Sequence, residues 1–116
     1  MRIKVQFTEQ EGLLTGFTVS GHDTAEGDAD FSVLCAAVSS AVQLTCNTLT
    51  EYFGVPERAV QVHASAGADN RIALRMQNVS RTQSDILRGL YLHFTQLSES
   101  EPGRLVLSVQ QTGKNH

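Results

Sequence analysis

The sequence predicts an α+β fold: a single sheet of about five strands with two packed helices, in the order ββαββαβ. Two observations carry this. Short stretches alternate apolar and polar residues with the period of two that suits a half-buried strand, and two longer stretches place apolar residues at the spacing of one helix face. Each helix then needs a surface to cover its apolar stripe, and the half-apolar strands supply it. A chain of 116 residues is one domain by size, residues 1–116, and long enough to bury one core.

Taken in order, Ile3, Val5 and Phe7 alternate with Lys4, Gln6 and Thr8, which makes a first strand. The polar run Glu9-Gln10-Glu11-Gly12 is a hairpin turn, and Leu14 to Ser20 a second strand with Phe17 and Val19 on one face. Gly21 ends it. Residues 22 to 30 follow neither period and carry Asp23, Glu26, Asp28 and Asp30, as a solvated loop does. From Val33 the pattern turns helical, through Leu34, Val38, Ala41, Val42, Thr45, Leu49, Tyr52 and Phe53. Ser32 is the expected N-cap, and Gly54 with Pro56 the stop.

Ala59 to Ala66 alternates again around Val60, Val62 and Ala64. Gly67-Ala68-Asp69-Asn70 is turn chemistry, and Arg71 to Val79 returns as a hairpin partner. Ser80 caps a second helix whose stripe is Ile86, Leu87, Leu90, Tyr91, Phe94 and Leu97. Pro102-Gly103 breaks it. Leu105, Leu107 and Val109 form the last strand, and Gln111 to His116 a polar tail.

Composition bears on several classes of function. Hydrophobic residues are 41% and charged residues 18%, ordinary for a globular protein, and the net charge is -3. Basic residues are scattered along the chain, so direct nucleic-acid binding is not expected as the main activity. The N-terminus lacks the apolar core of a signal peptide, and no apolar run approaches the ~20 residues that span a bilayer. A cytoplasmic protein with no membrane partner is the expectation. Cys35 and Cys46 on one helix would stand roughly 16 Å apart at 1.5 Å per residue, too far for a disulfide. Their spacing matches no zinc pattern, no glycine-rich phosphate loop or serine-hydrolase elbow occurs, and no cofactor is implied.

The chemistry-bearing stretch is Gly21 to Ser39. His22 stands where a strand stops, and Cys35 just inside an apolar helix, the third residue after Ser32. A thiolate near a helix N-terminus is stabilised by the dipole and unpaired N–H groups, which also suit an oxyanion. A nearby histidine can take the thiol proton and return it to a leaving amine. Against this, a lone cysteine on an apolar helix is more often a small buried hydrophobe, and that reading is stronger still for Cys46. The acids of residues 23 to 30 are either simply solvated or an attractor for a basic substrate; calcium lacks the rest of its loop pattern. His63, His93 and His116 group with neither cysteine and read as surface residues.

Gly21-His22, a short acidic loop, and Cys35-Ala36-Ala37-Val38-Ser39 resemble the Prp family of ribosomal-processing cysteine proteases. Chain length and element order agree with the same family. The resemblance implies that His22 and Cys35 are the catalytic pair of a cysteine endopeptidase. It implies a homodimeric α+β fold, and a substrate in the N-terminal extension of a large-subunit ribosomal protein, the twenty-seventh. The chain departs from the family in having Ser32 where an aspartate stands three residues before the cysteine, with Asp30 and Asp28 the nearest acids. A non-catalytic ribosome-associated or protein-binding module on the same scaffold is the alternative. Ser39 matches the family serine, as a hydrogen-bonding group or as a small residue that permits close packing.

Overall fold

Alternation decides which way each strand faces, and here it points one side of a sheet at two helices. The computed structural model describes residues 2–21, 29–63 and 70–112. Strands β1 (Ile3–Gln10) and β2 (Leu13–Ser20) form an antiparallel hairpin, with Val5 opposite Val19 and Phe7 opposite Phe17. They are joined by Glu11 (φ 53°) and Gly12 (φ 81°). Two successive positive φ values are what a type I′ hairpin turn requires, and glycine takes the second at no steric cost. The pairing shifts at Thr8/Glu9, so β1 runs to Gln10, inside the segment expected to be turn.

Helix α1 (Ala29–Tyr52) follows, then a short 3₁₀ turn at Glu57–Ala59 that sequence periodicity does not announce. Strands β3 (Val60–His63) and β4 (Arg71–Arg75), helix α2 (Arg81–Ser100) and strand β5 (Leu105–Gln111) complete the chain. The sheet order is β3-β4-β2-β1-β5, with β1 and β5 parallel and all other pairs antiparallel. The expected α+β order of five strands and two helices is the order observed. The second half of the expected third strand, the turn at 67–69 and the end of the tail fall outside the described residues. β4 is shorter than Arg71 to Val79, because Asn78 takes a positive φ of 54° and turns the chain toward α2.

The helices cover one face of the sheet. From β1 and β2, Ile3, Val5, Phe7, Phe17 and Val19 are all buried, and α1 adds Leu34, Val38, Val42 and Leu49. α2 adds Leu87, Leu90 and Phe94. Phe7 sits at the centre of a ring cluster, 5.7 Å from Phe17, 6.3 Å from Phe94 and 5.3 Å edge-on to Tyr91. Such tilted and edge contacts add to the burial itself.

The ends of both helices are tied down. Ser80 and Gln83 form the full capping box of α2, and the Gln83 amide donates to the Phe53 carbonyl at 2.8 Å, joining the start of α2 to the end of α1. Fully buried Ser84 accepts from the Leu14 N–H at 2.8 Å, which fixes α2 on the β2 end of the hairpin. By length and mean hydropathy (1.3), Val33–Tyr52 also suits a membrane span. This corrects the expectation that no apolar run approaches spanning length: Ala36, Ala37 and Ala41 among the larger apolar residues keep the mean hydropathy high, and in the fold Leu34, Val38, Val42 and Leu49 of this helix are buried.

Candidate active site

Helix α1 begins earlier than its capping signals imply. It starts at Ala29, so Ser32 lies inside the first turn and does not cap it, and Cys35 is the seventh helical residue. The unpaired N–H groups of an α-helix belong to its first four residues. Those of Val33 onward are therefore taken up by the helix itself, and the expected oxyanion donors at Val33 are displaced about a turn toward Ala29. Asp30 lies in this first turn.

Cys35 is only 6% exposed and belongs to the core cluster with Leu34 and Val38. Ala36 and Ser39 are exposed beside it. Ser39 lies one turn further along the same helix face. That face leads into a groove of about 460 Å³ between α1 and strands β2, β4 and β3. Its walls are mainly apolar, Val19, Val38, Val42, Val60, Val62 and Ile72, and polar groups from Ser39, His63, Asn70 and Arg71 stand at its rim. Val19 is three residues before His22, and Val38 three residues after Cys35. The groove wall therefore ends where β2 leads to one member of the expected pair and α1 carries the other. His22 itself, with the acidic segment 23–28, lies outside the described residues, so the placement of Cys35 alone is described.

Cys46 also lines this groove, from the middle of α1. Neither cysteine is in a disulfide, as their spacing on one helix requires. Burial pushes the Cys46 thiol from 9.0 up to about 11. The folded protein thus holds that proton more tightly than the unfolded chain. The stability this contributes is complete below pH 9 and is lost as the pH rises through 11. Two results follow: at pH 8 the native protein should leave Cys46 unlabelled by iodoacetamide, and the urea midpoint should fall between pH 9 and 11. Cys46→Ala should remove that fall; equal labelling of both cysteines at pH 8 would contradict the assignment.

His63 and His93 are exposed, as the sequence implied. The groove rim formed by His63, Asn70 and Arg71 escaped the sequence reading. The β3–β4 hairpin itself is expected from the sequence, but the rim depends on β4 pairing with β2, which sets that hairpin beside α1, and no local pattern announces that. Among the described residues no group of His, Cys, Asp or Glu could hold a metal ion.

Comparison with known proteins adds identity to this geometry. The family model described as "Cysteine protease Prp" matches residues 2–105. No functionally curated protein matches the sequence. Among solved structures, the chain is similar to SMU.848 from Streptococcus mutans, with a TM-score of 0.81 and 18% identity, covering 97% of this chain and 100% of that one. It is also similar to an essential ribosomal processing protease, Prp, from S. aureus, solved with a substrate peptide (TM-score 0.76, 15% identity, 93% of this chain and 99% of that one). The same S. aureus protein with a covalently linked product peptide gives a TM-score of 0.71 at 16% identity, again over 93% and 99% of the two chains. At these identities the structures speak for the fold.

Proposed function

The chain belongs to the cysteine protease Prp family, and from that premise we propose that it is an endopeptidase that removes the N-terminal extension of a large-subunit ribosomal protein. Cys35 is the nucleophile in this reading and His22 its base. The thiol passes its proton to the imidazole and the sulfur attacks the scissile carbonyl carbon, giving a tetrahedral oxyanion. Collapse expels the amine, which takes the proton back from His22 and leaves the acyl group on sulfur as a thioester. Water, deprotonated by the same imidazole, then releases the acid and restores the thiol. The N–H groups at the start of α1, near Ala29, are the nearest unpaired backbone donors on the helix for the oxyanion.

The observation that carries this reading is the groove running from the Cys35 face of α1 to the β3–β4 edge. An apolar cleft beside an open sheet edge suits an extended peptide, whose main chain can pair with the edge while alternate side chains enter the cleft. Three further points belong to the same proposal. The acids of residues 23 to 30 attract a basic extension, and Asp30 or Asp28 takes the orienting role of the family aspartate that Ser32 replaces. The protein works as a homodimer; Leu44 and Leu92, 69% and 58% exposed on the outer side of the helices, give such a dimer an apolar face to cover. The test is direct: the purified chain should shorten an extension-bearing precursor of the ribosomal protein at a single bond. An intact precursor after long incubation at saturating enzyme would favour the non-catalytic binding module instead.

A further inference from the structure

The basic residues are scattered in the sequence, but the fold gathers several of them on one surface. On the side of the sheet away from the helices, β4 presents Arg71, Ala73 and Arg75, and β3 presents Gln61 opposite Ala73 and His63 opposite Arg71. Next in register come Ser20, Thr18 and Gly16 of β2, then Lys4, Gln6 and Thr8 of β1. No carboxylate occupies these positions, in a chain whose net charge is -3. Four residues at about 3.3 Å each put the Arg71 and Arg75 backbones roughly 13 Å apart on one face.

Two depressions follow this edge and share Gln61 and Arg75. One, of about 230 Å³, lies among Gln61, His63, Arg71, Ala73 and Arg75. The other, of about 460 Å³, continues past Arg58 to the amides of Gln77, Asn78 and Gln83. Neither is lined by an acid; Glu57, next to Arg58 in sequence, lines neither. Arg81, Arg88 and Arg104 are each paired with a carboxylate. Among the described residues, Arg58, Arg71 and Arg75 make no ion pair and no side-chain hydrogen bond, and all three are exposed.

We propose that this lane, Arg58–Arg75–Arg71 with His63 and the neighbouring amides, binds RNA along its phosphate backbone. A lane of unpaired guanidinium groups with no acid between them matches a repeating anion. A protein partner would need a buried apolar anchor. On the sheet positions of this face the exposed apolar residue, Val106, is on β5 at the opposite edge; of the apolar residues lining the second depression, Val55, Ala59 and Met76 are already buried in the fold, which leaves Pro56 exposed. Among the described residues the sheet positions of this face carry no Phe, Tyr or Trp, and His63 is the one ring in the lane, so phosphate contacts rather than a row of stacked bases carry the binding and it does not read sequence. The amides supply donors and acceptors together, which a ribose 2′-hydroxyl can use and deoxyribose cannot. The lane meets the groove assigned to peptide at His63 and Arg71, but Arg58 and Arg75 line no part of that groove, so substitutions at these two test the lane separately from cleavage.

The experiment is fluorescence anisotropy with a labelled twelve-nucleotide oligouridine across a salt series. Three to four phosphate contacts on a single strand predict a slope of log K against log salt of about -2 to -3. The Arg58→Ala/Arg75→Ala double variant should bind at least ~10-fold more weakly, with a slope near -1, and should cleave peptide like the parent. Arg58→Lys/Arg75→Lys, which keeps the charge, should retain most of the binding and the steep slope, which separates loss of contact from loss of fold. An unchanged slope in the alanine variant would overturn the proposal. So would a poly-glutamate peptide that binds more tightly than the RNA, or oligothymidine of equal length that binds as tightly.

Discussion

Cys35→Ala should abolish peptide cleavage, with kcat falling by about 10⁴-fold or more and KM little changed. The sulfur is the atom that bonds to the substrate, and an alanine at this place removes the covalent route altogether. His22→Ala should cost a similar factor, because base and nucleophile act as one unit and their losses do not add. The helix should survive the first change. Cys35 is buried among Leu34 and Val38, and alanine keeps the apolar character and the helix propensity of the site. An unchanged circular dichroism spectrum would therefore accompany the loss. Cleavage by Cys35→Ala within ~10-fold of the parent would remove the nucleophile from the account.

Gly16→Ala should lower stability by about 3 kcal/mol and the melting midpoint by roughly 12–20 °C. Gly16 is paired with Arg75 across β2 and β4, and a Cβ there would overlap the Leu74 carbonyl oxygen, a backbone atom that no rotamer change can move. The two strands have little freedom to separate. Leu74 is fully buried, and the Met76 N–H donates to the Thr15 carbonyl at 3.0 Å just beyond the pair. Gly89 provides the contrast. It sits inside α2 with nothing within 4 Å of its added Cβ, so Gly89→Ala should stabilise by up to about 1 kcal/mol through helix propensity. Equal effects at the two glycines would show that close approach at Gly16 is not what constrains β2.

The strands and helices were legible because their burial is one-sided. Ile3, Val5 and Phe7 alternate cleanly, and Leu87, Leu90 and Phe94 follow one helix face, so the pattern carries both type and orientation. Ser80 was readable as a cap because its partner Gln83 stands three residues on. Ser32 misled for the same reason in reverse: a good capping residue precedes an apolar run, yet the helix extends back to Ala29. At the site, Cys35 stands out by its type and setting. The opposite wall of the groove does not, since Val60, Val62 and Ile72 look like any strand residues until the β3–β4 hairpin is placed beside β2 and α1. The lane of arginines was hidden in the same way. Arg71 and Arg75 share a strand face by alternation alone, but Arg58 is distant in the chain and joins them only because the 3₁₀ turn at Glu57–Ala59 leads into β3 beside β4.

The central claim is that Cys35 carries the acyl group during cleavage, and mass spectrometry of the enzyme quenched in acid during turnover tests it most directly. The account predicts a thioester on the peptide that contains Cys35, heavier by the N-terminal product less one water, and absent from the peptide that contains Cys46. Cleavage that proceeds with no adduct on Cys35, or with the adduct on Cys46, would contradict it.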